Sequence, residues 1–240
     1  MSEAFPNLIT DSTEVTPPAT LNVELVGDLI CPFCYLGKRR LDEAKRYVHG
    51  PISVGWYPFQ LNPTMPPDGE AFDAYLAKRF GSQGAIQPVL DRLQSEGRDV
   101  GIEFRFDRLT HVPNTLPVHQ VIQLAESQGM DVMPVVETFM AAYLSEGLDI
   151  GDAEVIATLA ARHGLDRDAV LSTLDDDAVR DEVLIREETI RDSGISGVPG
   201  FLMNRRLLLV GAQEISGIVQ GFDRAMFGDA DGKPLQAPLH

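Results

Sequence analysis

The sequence predicts an α/β fold in which a β-α-β unit and a β-β-α unit are separated by a large all-helical insertion. Three observations predict it. The first part of the chain alternates apolar and polar residues, then shows helical spacing, then alternates again. The middle part is a series of segments with helical spacing, and the last part holds two short apolar runs before one more amphipathic segment.

The β-α-β unit begins with a strand predicted at Leu21–Val26, where apolar and polar residues alternate and β-branched residues are frequent. A helix is predicted at about Pro32–Tyr47, because its apolar residues recur at helical spacing with basic residues between them. Of these, Lys38 and Arg39 are expected to be solvated. A second strand is predicted at Ile52–Leu61.

The middle of the chain predicts helices, with one extended or irregular interruption at Val100–Leu109. Aspartates before several of these segments and glycines after them are typical helix starts and stops. The predicted helices are Ala71–Phe80, Ala85–Glu96, Thr115–Gln128, Val132–Leu144, Ala153–His163, Asp168–Leu174 and Ala178–Asp192.

The β-β-α unit contains the apolar runs "GFLMN" and "RRLLLV", with a hairpin turn predicted at Asn204 and Arg205, followed by a helix over Ala212–Phe227. A parallel β-α-β unit joined to an antiparallel β-β-α unit is the connectivity of a thioredoxin-type sheet. The expected organisation is a flexible arm over 1–20, a thioredoxin-like domain over 21–70 and 192–228, a helical insertion over 71–191 and a tail over 229–240.

Composition excludes several classes of partner. The chain has 240 residues and a net charge of −16, which repels nucleic acid and anionic lipid. No run of about 18 apolar residues indicates a membrane span. The first 20 residues contain no Lys or Arg, and two cysteines are too few for a disulfide-stapled secreted scaffold. We expect a cytoplasmic monomer or homodimer with no membrane partner.

The chain's two cysteines, Cys31 and Cys34, form the motif "CPFC" at the predicted start of the first helix. Pro32 favours the first helical position, which makes Cys31 the N-cap residue and Cys34 the N3 residue. Free N–H groups and the helix dipole stabilise an anion at the N-cap. Cys31 is therefore predicted to attack a disulfide as a thiolate, and Cys34 to resolve the mixed disulfide.

Two other roles for the cysteine pair are weaker. A structural zinc site needs four ligands, and the five histidines provide no closely spaced pair. Two inert buried cysteines are the other possibility, but the position of Cys31 at a helix start argues against it. Nearby, Asp28 either caps the turn or accepts a proton from Cys34 through water, and the turn is the favoured interpretation.

The segment "SGVPGF" places Val198 and Pro199 just before a predicted strand. A cis peptide bond between them would leave the Val198 backbone able to pair with an extended peptide. An ordinary trans proline is the alternative, and on local sequence it is favoured because cis bonds are about 5–6% of such bonds.

The motifs "CPFCYLGKRRLDEA", "VPNTLPVHQVIQLA" and "GVPGF" resemble the DsbA-like thioredoxin superfamily, and more closely its FrnE-like branch of dithiol-disulfide isomerases. The resemblance covers about residues 21–227. It implies a thioredoxin fold with a helical insertion and a disulfide oxidoreductase or isomerase that needs no cofactor. It also implies that Cys31 is the nucleophile, Cys34 the resolving cysteine and Pro199 a cis-proline facing them.

A second resemblance, to kappa-class glutathione transferases and 2-hydroxychromene-2-carboxylate isomerases, provides an alternative function. These proteins bind glutathione near the positions that correspond to Asn114 and the Val-Pro turn, but they carry serine where this chain has Cys31. Glutathione stays a candidate redox partner, beside substrate proteins or small thiols. The residues assigned to substrate binding are Pro32, Phe33, Val198 and Asn114, and no metal is expected.

Overall fold

The computed structural model describes residues 20–81 and 83–228. The predicted arm, except for its last residue, and the predicted tail over 229–240 lie outside the described residues. Within the described part, no helix combines the length and apolar character needed to cross a bilayer. The strands are β1 (Leu21–Gly27), β2 (Ile52–Pro58), β3 (Glu70–Ala71), β4 (His111–Val112), β5 (Gly200–Met203) and β6 (Leu207–Val210).

The helices begin and end within a few residues of the predicted positions. They are α1 (Pro32–Ala44), α2 (Phe72–Phe80), α3 (Gln83–Asp99), α4 (Leu116–Ser127), α5 (Met133–Ala141), α6 (Ala153–Ala161), α7 (Arg167–Leu174), α8 (Asp177–Asp192) and α9 (Ile215–Phe227). The segment predicted to be irregular, Val100–Leu109, contains one short 3₁₀ helix at Phe106–Arg108.

The central sheet has the strand order β2-β1-β5-β6. Strands β1 and β2 run parallel, with Leu21 opposite Ile52, while β5 is antiparallel to both β1 and β6. A parallel pair needs a crossover, and α1 supplies it. The predicted α/β fold of thioredoxin type with a helical insertion is confirmed. The hairpin turn is also where it was predicted, because Asn204 and Arg205 both adopt positive φ.

Both faces of β1 are covered, which places its carboxyl end in the interior of the molecule. Leu21, Val23 and Leu25 point into the main core, whereas Val26 packs in a second cluster with Ile190 of α8. A strand buried on both faces is expected at the centre of a sheet that has helices on each side. The turn between β1 and α1 is therefore held from several directions.

The insertion lies between β2 and β5 and includes a feature that the sequence did not indicate. Ala71 of β3 pairs with His111 of β4 in a two-stranded antiparallel sheet. After α5, the chain continues as one turn of π-helix over Ala142–Glu146 and ends at Gly147, whose φ is +77°. Glycine adopts this left-handed conformation without steric cost.

A charged cluster joins α1 to the insertion, which corrects the expectation that Lys38 is solvated, whereas the Arg39 side chain stays 36% exposed. Glu137 of α5 accepts hydrogen bonds from the Tyr35 hydroxyl at 2.9 Å, from Lys38 and from Arg39 at 3.3 Å. Only 6% of Lys38 is exposed. The sequence could not indicate this, because the partner carboxylate lies about one hundred positions away.

Candidate active site

The two cysteines occupy the positions predicted from Pro32. Cys31 is extended (φ −85°, ψ 111°) and immediately precedes α1, and its Sγ accepts a hydrogen bond from the Cys34 N–H at 3.3 Å. Both are free thiols. Cys31 is 3% exposed and Cys34 is fully buried. The N-cap position of Cys31 is therefore confirmed, and sulfur takes the place that an oxygen acceptor usually has there.

The environment of Cys34 disfavours its thiolate. Burial raises the pKa of the Cys34 thiol well above its usual value, and the hydrogen bond and charge of Cys31 raise it further. The backbone of Asp28 lowers this pKa, whereas the Asp28 charge raises it. Cys34 consequently stays protonated at neutral pH. It therefore differs from a sulfur at a helix N-terminus, where the thiolate is stabilised.

Asp28 is a buried carboxylate that fixes the turn after β1. Its Oδ1 accepts a hydrogen bond from the Leu29 N–H at 2.8 Å, and its Oδ2 accepts one from the Leu61 N–H at 2.7 Å. The first bond is the turn-capping contact that was favoured from the sequence. The second hydrogen bond connects the turn between β1 and α1, which we call the cysteine turn, to the segment that follows β2. The carboxylate therefore orients two loops at once.

Sequence reasoning missed His119, which lies beside Asp28 and is 2% exposed. The indole N–H of Trp56 donates to His119 Nδ1 at 3.3 Å, and His119 Nε2 lies 3.5 Å from Asp28 Oδ1. Because Nδ1 accepts, we assign the ring proton to Nε2, where it faces the carboxylate. A histidine on an apolar face of α4, next to the buried Val118, was the available signal.

The Trp56 indole also lies against the cysteine turn. A Cβ added to Gly27 would come within 2.8 Å of the Trp56 ring and 3.2 Å of Cys34 Sγ. Glycine is therefore required by close approach at this position. Trp56, Gly27 and Cys34 pack directly on one another beneath the motif.

The Val198–Pro199 peptide bond is cis. The proline ring packs on α1, since a Cβ added to Gly37 would lie 3.0 Å from Pro199 Cγ. Within the described part of the chain, the Val198 N–H and C=O form no hydrogen bond. This leaves one backbone donor and one acceptor available beside the cysteine turn, whereas the roles assigned to Val198 and Pro199 in the reaction stay predictions.

A cavity of about 370 Å³ adjoins the turn, and its lining includes Cys31, Pro32, Phe33 and Val198. The structure thus brings together three of the four residues assigned to substrate binding. Asn114 is not part of the cavity lining. Its side-chain N–H donates to the Met65 carbonyl at 2.8 Å and its Oδ1 accepts from the Leu116 N–H at 2.9 Å, so it fixes the turn that precedes α4, and its assigned binding role stays a prediction.

Two other features lie away from this chemistry. A larger depression of about 720 Å³ is lined by residues of β1, β2 and the β5–β6 hairpin and contains neither cysteine. Among residues 20–81 and 83–228, no group of three or more His, Cys, Asp or Glu side chains is arranged to hold a metal ion.

The comparison with known families decides the classification. Residues 22–222 match the model of the DSBA-like thioredoxin domain. The chain belongs to this family. The predicted resemblance to the DsbA-like thioredoxin superfamily is thereby confirmed, and the family is one of DsbA-like thiol oxidoreductases. A probable DsbA oxidoreductase of Streptomyces coelicolor, SCO1869, is 28% identical with a TM-score of 0.77, over 85% of this chain and 89% of that one.

Two more distant structures share the fold of this DSBA-like chain. A 2-hydroxychromene-2-carboxylate isomerase has a TM-score of 0.66 and 16% identity, over 85% of this chain and 95% of that one. The cytosolic disulfide reductase DsbM from Pseudomonas aeruginosa, whose structure includes GSH, has a TM-score of 0.54 and 17% identity over the same shares. At these identities the likeness concerns the fold.

Proposed function

We propose that this DSBA-like protein catalyses thiol–disulfide exchange, with Cys31 as the attacking sulfur and Cys34 as the resolving one. The observation that carries the proposal is the asymmetry of the pair. Cys31 Sγ accepts an N–H at a helix N-terminus, where an anion is stabilised, whereas burial raises the pKa of the Cys34 thiol. One thiolate at Cys31 and one thiol at Cys34 is the arrangement that an exchange reaction requires.

The reaction proceeds in two balanced steps. The Cys31 thiolate attacks one sulfur of a substrate disulfide, and the other substrate sulfur leaves as a thiolate. Cys34 then loses its proton and attacks Cys31, which forms the Cys31–Cys34 disulfide and releases the second substrate thiol. Two electrons pass from the protein to the substrate, and the reverse sequence oxidises a substrate dithiol.

Asp28 helps to keep Cys34 protonated during the first step. Burial is the main cause that raises the pKa of the Cys34 thiol, and the negative Asp28 carboxylate raises it further by opposing ionisation. His119 Nε2 packs 3.5 Å from Asp28 Oδ1 without a hydrogen bond, and Trp56 fixes the histidine ring by donating to Nδ1. These three residues are positioning residues in the proposal, because none of them contacts the substrate.

The substrate is held beside Cys31 by the neighbouring backbone and apolar side chains. The unpaired N–H and C=O of Val198 can form strand-like hydrogen bonds with an extended segment of the substrate. Phe33, which is 40% exposed, and Pro32 supply apolar contact in the lining of the same cavity. Glutathione is a candidate reductant that would restore the Cys31 and Cys34 thiols. The sequence leads us to expect a cytoplasmic location.

Single cysteine variants test the proposal. Cys31→Ser should reduce insulin no faster than the buffer control, because the attacking sulfur is absent. Cys34→Ser should still attack but accumulate a mixed disulfide on Cys31, which a mass increase of the intact protein would detect. Equal activity of wild type and Cys31→Ser would refute the assignment.

A variant that lacks the resolving thiol, Cys34→Ala, separates redox exchange from a glutathione-dependent isomerase or transferase reaction. A reaction without net redox change needs no resolving thiol, so it would persist in Cys34→Ala. In the same variant, disulfide exchange would stop once Cys31 had formed a mixed disulfide, because no second thiol could resolve it. The redox potential of the pair, measured against glutathione, then decides between a reductant, an isomerase and an oxidant.

A further inference from the structure

Cys31 lines a cavity at the surface of the protein, although little of its own side chain is exposed. Cys31 is only 3% exposed, yet it forms part of the wall of the cavity of about 370 Å³. Cavities of about 300–1,000 Å³ are typical of small-molecule sites. A small molecule that enters this cavity meets the Cys31 sulfur directly.

The cavity is lined mainly by apolar side chains of the insertion. Helices α2 and α3 contribute most of them, among which are Phe72, Leu76, Phe80, Ile86, Val89 and Leu90. Two tyrosine hydroxyls in the lining are already engaged. Tyr75 donates to Asn62 Oδ1 at 3.3 Å, and Tyr143 donates to the His111 carbonyl at 3.0 Å. A ligand therefore meets mostly hydrocarbon and aromatic surface.

Arg79 is the only charged side chain among the described residues that line this cavity. It forms no hydrogen bond or ion pair with any residue in the ranges 20–81 and 83–228, although the chain carries a net charge of −16. The preceding residue, Lys78, lies 4.0 Å from Glu70 and is not in the lining. A cation without a partner at the wall of an apolar cavity is complementary to one anionic group on a ligand.

From these features we propose that the substrate of Cys31 is a small organic thiol or disulfide with an apolar body and a single carboxylate. The sulfur lies at Cys31, the apolar body contacts α2 and α3, and the carboxylate pairs with Arg79. Glutathione matches less well, since it carries two carboxylates and an ammonium group and the cavity offers one charge. The inference rests on the proposed function and names the substrate class of the same site.

The exchange chemistry is balanced for this class. In the direction that reduces the protein, a substrate thiolate attacks Cys31 in the Cys31–Cys34 disulfide, and the Cys34 sulfur leaves as a thiolate and takes up a proton. The second thiol of a dithiol substrate then displaces Cys31 and forms the substrate disulfide. Two electrons pass from the substrate dithiol to the protein.

The experiment compares three dithiols as reductants of the oxidised full-length protein. Dihydrolipoate has an apolar chain and a carboxylate, dihydrolipoamide has the same chain with a neutral amide, and dithiothreitol is small, polar and neutral. The single tryptophan, Trp56, packs near Cys34, so its fluorescence follows the reaction. Second-order rate constants, each divided by that of dithiothreitol, are expected to follow the order dihydrolipoate, dihydrolipoamide, dithiothreitol.

Variants assign the preference to the cavity. Arg79→Gln should lower the rate constant of dihydrolipoate about 2–5-fold, as expected for one exposed ion pair, and leave dihydrolipoamide and dithiothreitol unchanged. Arg79→Lys should retain the preference. Lys78→Gln is the matched control, because it removes the same charge one position away. Val89→Asp, at a side chain that is 41% exposed, should slow both lipoyl compounds but not dithiothreitol.

Each other outcome is decisive. Equal normalised rates for the three dithiols, or an Arg79→Gln effect on all of them, overturn the inference. A neutral apolar dithiol peptide that reacts faster than dihydrolipoate, with no effect of Arg79→Gln, would assign the cavity to peptide substrates and also overturn it. If dithiothreitol itself cannot reduce a Cys31–Cys34 disulfide, the proposed function fails as well, so the two failures are distinguishable.

Discussion

Asp28→Asn changes a carboxylate that two backbone amides share. Leu29 N–H donates to one oxygen at 2.8 Å, and Leu61 N–H donates to the other at 2.7 Å. An asparagine side chain offers a single acceptor oxygen, so one amide must face an NH₂ group. A buried donor left without a partner costs about 1–3 kcal/mol. For a domain of this size, a loss of about 2 kcal/mol lowers the Tm by about 4–8 °C.

The assay is urea and thermal unfolding of the oxidised protein, in which neither cysteine titrates. Asp223→Asn is the matched control, because Asp223 is exposed on α9 and its replacement changes the net charge equally. Exposed substitutions usually change stability by less than about 0.5 kcal/mol. Equal stabilities of the two variants would show that the Asp28 carboxylate does not hold the two loops.

The same substitution tests the electrostatic part of the proposal. Because the Asp28 charge raises the pKa of Cys34, Asp28→Asn should lower that pKa. The titration can be followed by NMR with ¹³Cβ-labelled cysteine in a Cys31→Ser background, which leaves one thiol. A Cys34 titration that stays in place or moves to higher pH would contradict the assigned role of the carboxylate.

Two further predictions concern stability. The folded-state pKa values of Cys34 and Tyr143 are raised above their ordinary 9.0 and 10.0, mainly by burial, so the unfolded chain releases these protons first as pH rises. In urea unfolding, the free energy of unfolding of the reduced protein should therefore fall above about pH 9, by up to about 1.4 kcal/mol per group and pH unit. The oxidised protein, in which Cys34 cannot titrate, should lose less stability. A free energy of unfolding that does not change with pH in this range would contradict the prediction. Gly27→Ala should cost about 1–3 kcal/mol because its Cβ would lie 2.8 Å from Trp56, whereas Gly55→Ala, with no atom within 4 Å, should cost far less in the same assay.

Local patterns were sufficient for much of the fold and for the cysteine turn. Alternation with period two and helical spacing gave the order of strands and helices, because each depends on residues a few positions apart. Pro32 fixed the start of α1 and thereby identified Cys31 as the N-cap residue. These predictions succeeded because the physical cause and its effect lie within one turn of the chain.

Other features could not be read from local patterns. The cis geometry at Pro199 was not favoured locally, and Lys38 was expected in solvent although it pairs with Glu137. His119 was considered only as a metal ligand, whereas the fold places it against Asp28. Each of these depends on which distant segment packs against the residue, and no sequence period records that.

The sequence by itself determined the element order, the cysteine pair at the start of the first helix and which of its two sulfurs caps that helix. Only the tertiary structure decided the environment of that pair: the burial that raises the Cys34 pKa, the Trp56 and His119 side chains beside it, and the cavity at Cys31. The physical reason is that helix capping is a contact between near neighbours, whereas desolvation and cavities arise where segments far apart in the chain exclude water together.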